Sequence, residues 1–179
     1  MEYMKSNNRP AYVKEMVGLS FSIGKLVKDP KARIRNISYA MPAFIALECV
    51  MIAYTVFMAV LYTKKHSVSL AVVIGILCVI ILVYGLFILG YFARYGSAKK
   101  MKAEKYYFDC EKEGVTHYGP SMKLTIFWDQ IQCVRTFRYS MVFVPKDLKT
   151  RSVIAPVENL ENVTEFISAN NIEIPVVKD

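Results

Sequence analysis

Two long apolar segments dominate the pattern of hydrophobic and polar positions along the chain. Residues 36–63 carry one acidic residue and no basic residue, and residues 67–93 carry no charged residue at all. Because about 20 consecutive apolar residues suffice to cross a bilayer, each segment is long enough for a transmembrane helix. The short connection makes the two helices antiparallel neighbours. The sequence therefore predicts a membrane hairpin over residues 37–93 and excludes a freely soluble enzyme.

After the second apolar segment, the pattern changes to short runs of alternating apolar and polar residues. Turn signals such as Gly119-Pro120 and Pro145-Lys146-Asp147 separate these runs. Such spacing is typical of an antiparallel sandwich or barrel. The predicted strands are residues 105–110, 114–118, 122–127, 132–137, 141–144 and 151–154.

The spacing of apolar residues changes once more near the end of the chain. Apolar residues share one helical face after Pro156, and Asn170 and Asn171 follow the last of them. Because Pro is favoured in the first turn of a helix and Asn after its end, we expect an amphipathic C-terminal helix. A small curved sheet closed by one such helix resembles a pleckstrin-homology-like (PH-like) fold. The apolar positions of the helix are Val157, Leu160, Val163, Phe166 and Ile167.

The segment before the hairpin has an ambiguous pattern. Alternating apolar positions between Leu19 and Ile23 are typical of a strand, whereas Val13 and Val17 share one face of a helix. The segment is therefore expected to form either an interfacial helix or a short strand. Since a complete PH-like barrel has one strand more than the six predicted, a strand here would complete the domain, which would then be split around the hairpin.

The predicted fold class is an α+β membrane protein, in which a transmembrane helical hairpin is joined to a small antiparallel PH-like β domain closed by a C-terminal helix. The chain divides into a cytoplasmic N-terminal segment, a hairpin, a basic juxtamembrane linker and a cytoplasmic PH-like domain. These parts are residues 1–36, 37–93, 94–104 and 105–179.

Lysine and arginine residues concentrate beside the two apolar segments. The net charge of +8 divides into +5 over residues 1–40, +4 over residues 41–104 and −1 over residues 105–179. Because loops rich in Lys and Arg stay in the cytoplasm, both termini of this integral membrane protein with two spans are expected there. A nucleic-acid binder would carry a basic stripe on its folded domain, so the nearly neutral C-terminal domain argues against one.

Four lysines follow the second apolar segment at the depth of the lipid headgroups: Lys99, Lys100, Lys102 and Lys105. Each would gain about 1 kcal/mol from the surface potential of the cytoplasmic leaflet. Orientation of the hairpin accounts for these basic residues, and a specific site for an anionic lipid is the alternative.

Glu48 is the one ionisable residue within the two apolar segments. A carboxylate near the bilayer centre costs about 2.5 to 3.5 kcal/mol, so its side chain should face protein. A hairpin that pivots near Lys65 places Glu48 opposite Leu82 and within reach of Tyr84. We therefore predict a protonated Glu48 that is hydrogen-bonded to Tyr84. Contact with a partner helix, or a proton or cation path, is the alternative.

Short motifs in residues 107–167 resemble the C-terminal domain of the bacterial YcxB-like membrane proteins. The motifs are Phe108-Asp109, Glu113-Gly114-Val115, Ile126-Phe127-Trp128-Asp129-Gln130-Ile131, and Pro156 followed by Glu165-Phe166. The resemblance implies a two-helix hairpin before a small PH-like domain, and it implies an architecture more than an activity. Val157 stands where that family tends to have a basic residue.

The residues of these motifs are predicted to support the fold. Trp128 is expected to be a core anchor whose N–H needs an acceptor. Asp129 is placed to cap a turn or short helix. Gly114 suits a turn or bulge with positive φ. Ile131, Pro156 and Phe166 belong to the same fold motif.

The sequence contains no familiar catalytic motif, so we predict no enzyme, no catalytic residue and no cofactor. Cys110, His117 and Cys133 could be imagined as three metal ligands. Lone cysteines in strands are usually small core residues, however, and no metal site is predicted. Cytoplasmic thiols would stay reduced.

The leading functional hypothesis is a non-enzymatic binding or scaffolding module held at the cytoplasmic face of a membrane. Its expected partners are membrane lipid and a protein, and not nucleic acid, while self-association stays open. The alternative is a small accessory or immunity-type subunit whose hairpin acts on a transporter or channel. Direct recognition of lipid headgroups by the domain is disfavoured by its nearly neutral charge.

Overall fold

The computed structural model describes residues 8–65, 67–100, 107–119 and 122–178. The chain forms two compact units. The hairpin unit is Ser38–Gly96, and the split unit combines Met1–Ile37 with Ser97–Asp179. The helices are α1 (Arg9–Ser20), α2 (Ile23–Lys28), α3 (Ile37–Lys65), α4 (Val68–Lys100) and α5 (Leu160–Ala169).

Helices α3 and α4 supply the hairpin unit. They contain 29 and 33 residues, and their most apolar windows have mean hydropathies of 2.3 and 3.2. Both are long and apolar enough to cross a membrane. Only 6% and 0% of these windows is buried, so their apolar side chains are largely exposed. Helix α4 ends at Lys100, so the first residues of the predicted linker continue the helix.

Two small sheets form the β structure of the split unit. Sheet A is antiparallel in the order β1 (Tyr107–Cys110), β2 (Gly114–Gly119) and β3 (Met122–Phe127). Sheet B has the order β6-β5-β4-β7, in which β7 is parallel to β4 and the other pairs are antiparallel. Its strands are β4 (Ile131–Thr136), β5 (Ser140–Pro145), β6 (Val153–Pro156) and β7 (Val176–Lys178).

The main core contains residues of both sheets and of α5. Phe108 and Ile126 of sheet A join Phe143 of sheet B and Val163 of α5 in one buried cluster. Four of the five predicted apolar positions pack in this cluster from α5: Leu160, Val163, Phe166 and Ile167. The fifth, Val157, lies in the 3-10 turn before the helix. An antiparallel β domain with a C-terminal helix is therefore present, as expected from the sequence.

Sheet B is buried on its other face as well. Along β5, Met141 and Phe143 belong to the main core, whereas Val142 and Val144 belong to a second cluster. This second cluster is completed by Leu19, Leu26, Val27 and Ile34 from the N-terminal segment, together with Cys133 of β4. The N-terminal segment is therefore a layer of the split unit and covers sheet B.

Of the two alternatives for the N-terminal segment, the strand over residues 19–23 is wrong and the segment is helical. These residues lie at the end of α1, in a turn and at the start of α2, where the Ser22 N–H donates to the Leu19 carbonyl at 2.8 Å. The physical reason is that Leu19, Ile23 and Leu26 recur at helical spacing and pack together in the second cluster. The additional strand is β7, which follows α5 and pairs with β4.

Polar contacts also join the N-terminal segment to sheet B. The Tyr12 hydroxyl donates to the Ile154 carbonyl at 3.1 Å, and a guanidinium N–H of Arg135 donates to the Pro30 carbonyl at 2.5 Å. The carboxylate of Glu15 accepts the Tyr139 N–H at 2.7 Å. All three contacts join residues on opposite sides of the hairpin in sequence, so the split unit is assembled from both parts of the chain.

Replacing Glu15 with Ala is expected to destabilise the split unit by about 1 to 3 kcal/mol, because the half-buried Tyr139 N–H loses its acceptor. Glu15→Gln keeps an acceptor oxygen and should retain most of the stability. Trp128 is the single tryptophan, so its fluorescence during denaturant unfolding measures this unit. An unchanged unfolding midpoint for Glu15→Ala would contradict the role of this contact.

Candidate functional site

Trp128 has the environment that the sequence predicts for a core anchor. Its ring is stacked with Phe166 at 6.1 Å between centroids and lies 6.5 Å from Phe143. Its indole N–H donates to the Glu111 carbonyl at 3.0 Å. Ile131 is buried in the same cluster. These residues hold the sheets and α5 together.

Gly114 is needed for a reason other than the predicted one. Within the described chain no glycine has a positive φ, so Gly114 is not a left-handed turn residue. A Cβ at this position would instead lie 2.1 Å from the Ile126 carbonyl oxygen and 2.8 Å from the Phe127 Cα. Gly114 therefore permits the close approach of β2 and β3.

Asp129 does not cap the turn that it was predicted to cap. It lies within the 3-10 turn Trp128–Gln130, whose N-cap is Phe127, and the turn has no side-chain cap. The Trp128 N–H donates to the Glu113 carbonyl at 3.1 Å, so the backbone supplies the acceptor. Pro156 does not stand directly before α5. It precedes the 3-10 turn Val157–Asn159, and α5 begins after that turn, at Leu160.

Burial makes the two cysteines of the split unit unreactive. It raises the pKa of the Cys110 thiol to about 12, with a further contribution from Asp109, and it raises the pKa of Cys133. Both side chains are therefore protonated thiols, which are poor nucleophiles and poor metal ligands. The described residues contain no group of three or more potential metal-ligating side chains.

A cleft of about 450 Å³ opens on the split unit. Its walls come from three places: the α1–α2 junction, the facing strands β2 and β3, and the loop between β5 and β6. Residues from both sides of the hairpin thus form one concave site. The lining residues are Ser20, Ile23, His117, Leu124, Leu148, Lys149, Thr150, Arg151 and Ser152.

The polar lining of this cleft is cationic and rich in hydroxyl groups. Lys149 and Arg151 carry positive charge, and the described lining includes no acidic side chain. Asp147 lies just before them and accepts the backbone N–H groups of Lys149 and Thr150, each at 2.8 Å. These hydrogen bonds lower the pKa of Asp147. The ionised carboxylate therefore organises the loop that presents the basic residues.

The apolar lining is contributed by Ile23, Leu124 and Leu148. Leu148 is 62% exposed, although it is a large aliphatic side chain. Its Cδ2 lies 3.6 Å from the position that a Cβ on Gly24 would occupy. The cleft thus combines an apolar part with a cationic part, as ligand sites commonly do.

His117 is expected to make the free energy of unfolding depend on pH, because burial lowers its pKa from the ordinary 6.5. The unfolded chain therefore binds the proton at a higher pH than the folded chain does. We expect the free energy of unfolding to be fully retained above pH 6.5 and to fall as the pH drops below that value. His117→Gln should flatten this decline.

The comparison requires denaturant unfolding of both proteins at several pH values between about 7.5 and 5. His66→Gln is the matched control, because His66 lies between the two apolar segments in sequence. Equal pH dependence of the wild-type chain and His117→Gln would show that His117 contributes nothing.

Glu48 is buried in the hairpin unit, but it lies beside Gly85 and not beside the predicted residues. Its Oε1 lies 3.4 Å from the Cβ position of Gly85, and its Oε2 has no hydrogen-bond partner among the described residues. The Tyr84 ring instead lies 6.3 Å from that of Phe44. Leu82, which was expected opposite Glu48, is 63% exposed. The helices therefore pair in a different register, and the predicted Glu48–Tyr84 hydrogen bond is not formed.

Lys99 and Lys100 are exposed at the end of α4. Lys102 and Lys105, the other two predicted membrane-surface lysines, lie outside the described residues.

The sequence predictions did not include the cleft. Its lining combines a helix junction, two strand interiors and a loop, which are far apart in sequence. The one local signal is the run Lys149-Thr150-Arg151-Ser152, in which basic and hydroxyl side chains alternate. That run is also what an ordinary solvated loop contains, so it does not identify a site without the walls around it.

No protein-family model, curated protein or solved structure matches this chain.

Proposed function

We propose that this protein is a membrane-anchored, non-enzymatic binding or scaffolding module. In this proposal α3 and α4 cross the membrane, both termini are cytoplasmic, and the split unit is a PH-like domain related to the YcxB-like proteins. One observation carries the proposal: the cleft of the split unit has walls from both sides of the hairpin. The unit that holds the cleft is thus connected to the hairpin twice, once before α3 and once after α4.

The chemistry of the cleft supports binding over catalysis. Its polar groups are hydroxyls, two cations and the imidazole of His117, and the hydroxyls and cations recognise ligands by hydrogen bonds and charge. The thiols of the same unit have raised pKa values and so lack nucleophilic character. His117 has a lowered pKa and is neutral near pH 7.

Photo-cross-linking in native membranes tests the proposal. A photoreactive amino acid replaces Leu148 at the rim of the cleft, or the exposed Lys112 as a matched control outside it. We expect a discrete adduct from position 148 and none from position 112. Equal adduct formation at the two positions would mean that the cleft has no specific occupant and would refute the proposal.

An accessory or immunity-type subunit acting through its hairpin is the second candidate. Glu48 supports it, because a buried carboxyl oxygen without a partner is costly and a donor from another helix would remove that cost. The outer faces of both helices are also apolar and exposed, so they could pack against a transporter or channel.

The hairpin hypothesis predicts loss of a co-purifying membrane protein when Glu48 is changed to Ala. Val50→Ala serves as the control, because Val50 is 65% exposed on the same helix. If a complex survives Glu48→Ala unchanged, Glu48 has no role in assembly. Adducts from a photoreactive residue at Val79, which is 62% exposed on α4, would identify the partner.

A further inference from the structure

We infer that the cleft of the split unit binds an anionic amphiphile, a molecule with a phosphate or carboxylate head and an apolar chain. The inference rests on the proposed function, since it takes this cleft to be the binding site. It is carried by the composition of the lining, in which cationic, hydroxyl and aliphatic groups meet in one concavity.

The cationic part fits the head of such a ligand. Lys149 and Arg151 come from one loop, and the hydroxyl of Ser152 lines the same space. The Ser20 hydroxyl donates to the Val17 carbonyl at 2.7 Å and the Thr150 hydroxyl is hydrogen-bonded to Asp147, so these two hydroxyls are already engaged. Ammonium, guanidinium and hydroxyl donors are the groups that hold phosphate or carboxylate oxygens. The described residues that line the cleft contribute no carboxylate that would repel an anion.

The loop that carries these cations is already organised. Asp147 holds the backbone of Lys149 and Thr150 by two hydrogen bonds of 2.8 Å. The carboxylate is thus committed to its own loop and does not line the cleft. A loop that is ordered before binding loses less conformational freedom when a ligand arrives.

The aliphatic part fits the chain of the ligand. Ile23 reaches the cleft from α2, Leu124 from β3 and Leu148 from the same loop as the cations. Leu148 leaves 62% of its surface exposed, and an alkyl chain would cover it. An inorganic anion would leave these three side chains unused, so an anion with an apolar chain is favoured.

From the sequence, recognition of an anionic headgroup is disfavoured because the C-terminal domain is nearly neutral, but the charge near the cleft differs from that average. The charge of −1 over residues 105–179 argued against headgroup recognition. That value averages over the whole domain, whereas a ligand responds to the groups within about a Debye length, roughly 8 to 10 Å. The two cations of the lining, Lys149 and Arg151, outnumber the adjacent carboxylate of Asp147, although the domain as a whole is nearly neutral.

The test uses the full chain in nanodiscs of zwitterionic phosphatidylcholine. The probes are octyl phosphate, octyl glucoside and inorganic phosphate, and the signal is the NMR resonance of the His117 ring. Since the chain has two histidines, His66 is an internal reference, and His117→Gln assigns the signals. We expect octyl phosphate to shift the His117 resonance and to bind at least tenfold more tightly than either other probe.

Substituting the cations of the cleft distinguishes specific binding in the cleft from nonspecific binding of the anion. The double variant Lys149→Gln with Arg151→Gln should lose octyl phosphate affinity at least tenfold. Lys112→Gln with Lys178→Gln removes the same charge from residues outside the lining and should bind as the wild-type chain does. Trp128 fluorescence unfolding verifies that both variants are folded. Equal affinity of the two double variants, or of octyl phosphate and octyl glucoside, would overturn the inference.

A second experiment distinguishes a ligand that comes from the bilayer from one that is dissolved in water. A shift of the His117 resonance when phosphatidic acid replaces part of the nanodisc lipid, without free probe, would identify a bilayer lipid. A response to soluble octyl phosphate alone would identify a dissolved amphiphile. Failure of octyl phosphate to bind, while photoreactive residue 148 still forms a specific adduct, would refute the ligand class and leave the proposed binding function intact.

Discussion

The Gly114→Ala variant is expected to lose about 4 kcal/mol or more of stability, which is exceptional for one added methyl group. The new Cβ would lie 2.1 Å from the Ile126 carbonyl oxygen, far inside van der Waals contact. Ile126 O is a backbone atom in β3, so no side-chain rotation relieves the overlap. Strands β2 and β3 would have to separate over part of the register that joins Gly114 to Phe127.

Gly24→Ala is the matched control for this substitution. Gly24 lies in α2, where the nearest atom to a new Cβ is the flexible Leu148 Cδ2 at 3.6 Å. Since Ala is favoured over Gly in helices by about 1 kcal/mol, this variant should be neutral or stabilised. Denaturant unfolding followed by Trp128 fluorescence compares the two. A Gly114→Ala protein with the wild-type midpoint would show that the strands move apart without cost.

A fragment of residues 97–179 alone is expected not to fold cooperatively. It lacks Leu19 and Leu26, whose side chains are 0% exposed, and it would expose Val142 and Val144 on the outer face of sheet B. Burying a large aliphatic side chain contributes about 1.5 to 3 kcal/mol. The loss of several such contacts approaches the whole stability of a small domain, about 5 to 15 kcal/mol.

Joining residues 1–36 to residues 97–179 through a flexible linker should restore a cooperative transition. The matched control carries Leu19→Asp and Leu26→Asp in the same joined protein and should behave as the short fragment does. Far-ultraviolet circular dichroism during urea unfolding measures all three proteins. A sharp transition in the short fragment, at the midpoint of the joined protein, would show that the N-terminal segment is dispensable.

The sequence predicted local elements well where one periodicity dominates. Residues 122–127 were predicted as a strand with the observed bounds of β3, and α5 buries Val163 and Ile167 as its apolar face requires. The N-terminal segment was harder, because helical and strand spacings coexist between Val13 and Ile23. Only contact with sheet B determines which of them is used.

The composition of β5 is a sequence signal for that contact. Met141, Val142, Phe143 and Val144 are four consecutive apolar residues, whereas a strand with one solvated face alternates. Such a run indicates burial on both faces and therefore a second covering layer. In the structure both faces of β5 are buried, and the second layer is the N-terminal segment.

The sequence by itself determined the two apolar helices, the strand-rich C-terminal region and its closing helix, because each depends on periodicity within a short window. Only the tertiary structure decided the position of Glu48 beside Gly85, the close approach at Gly114 and the cleft. Each of these depends on distances between groups far apart in sequence. Helix register, strand separation and the docking of the N-terminal segment set those distances, and no local pattern encodes them.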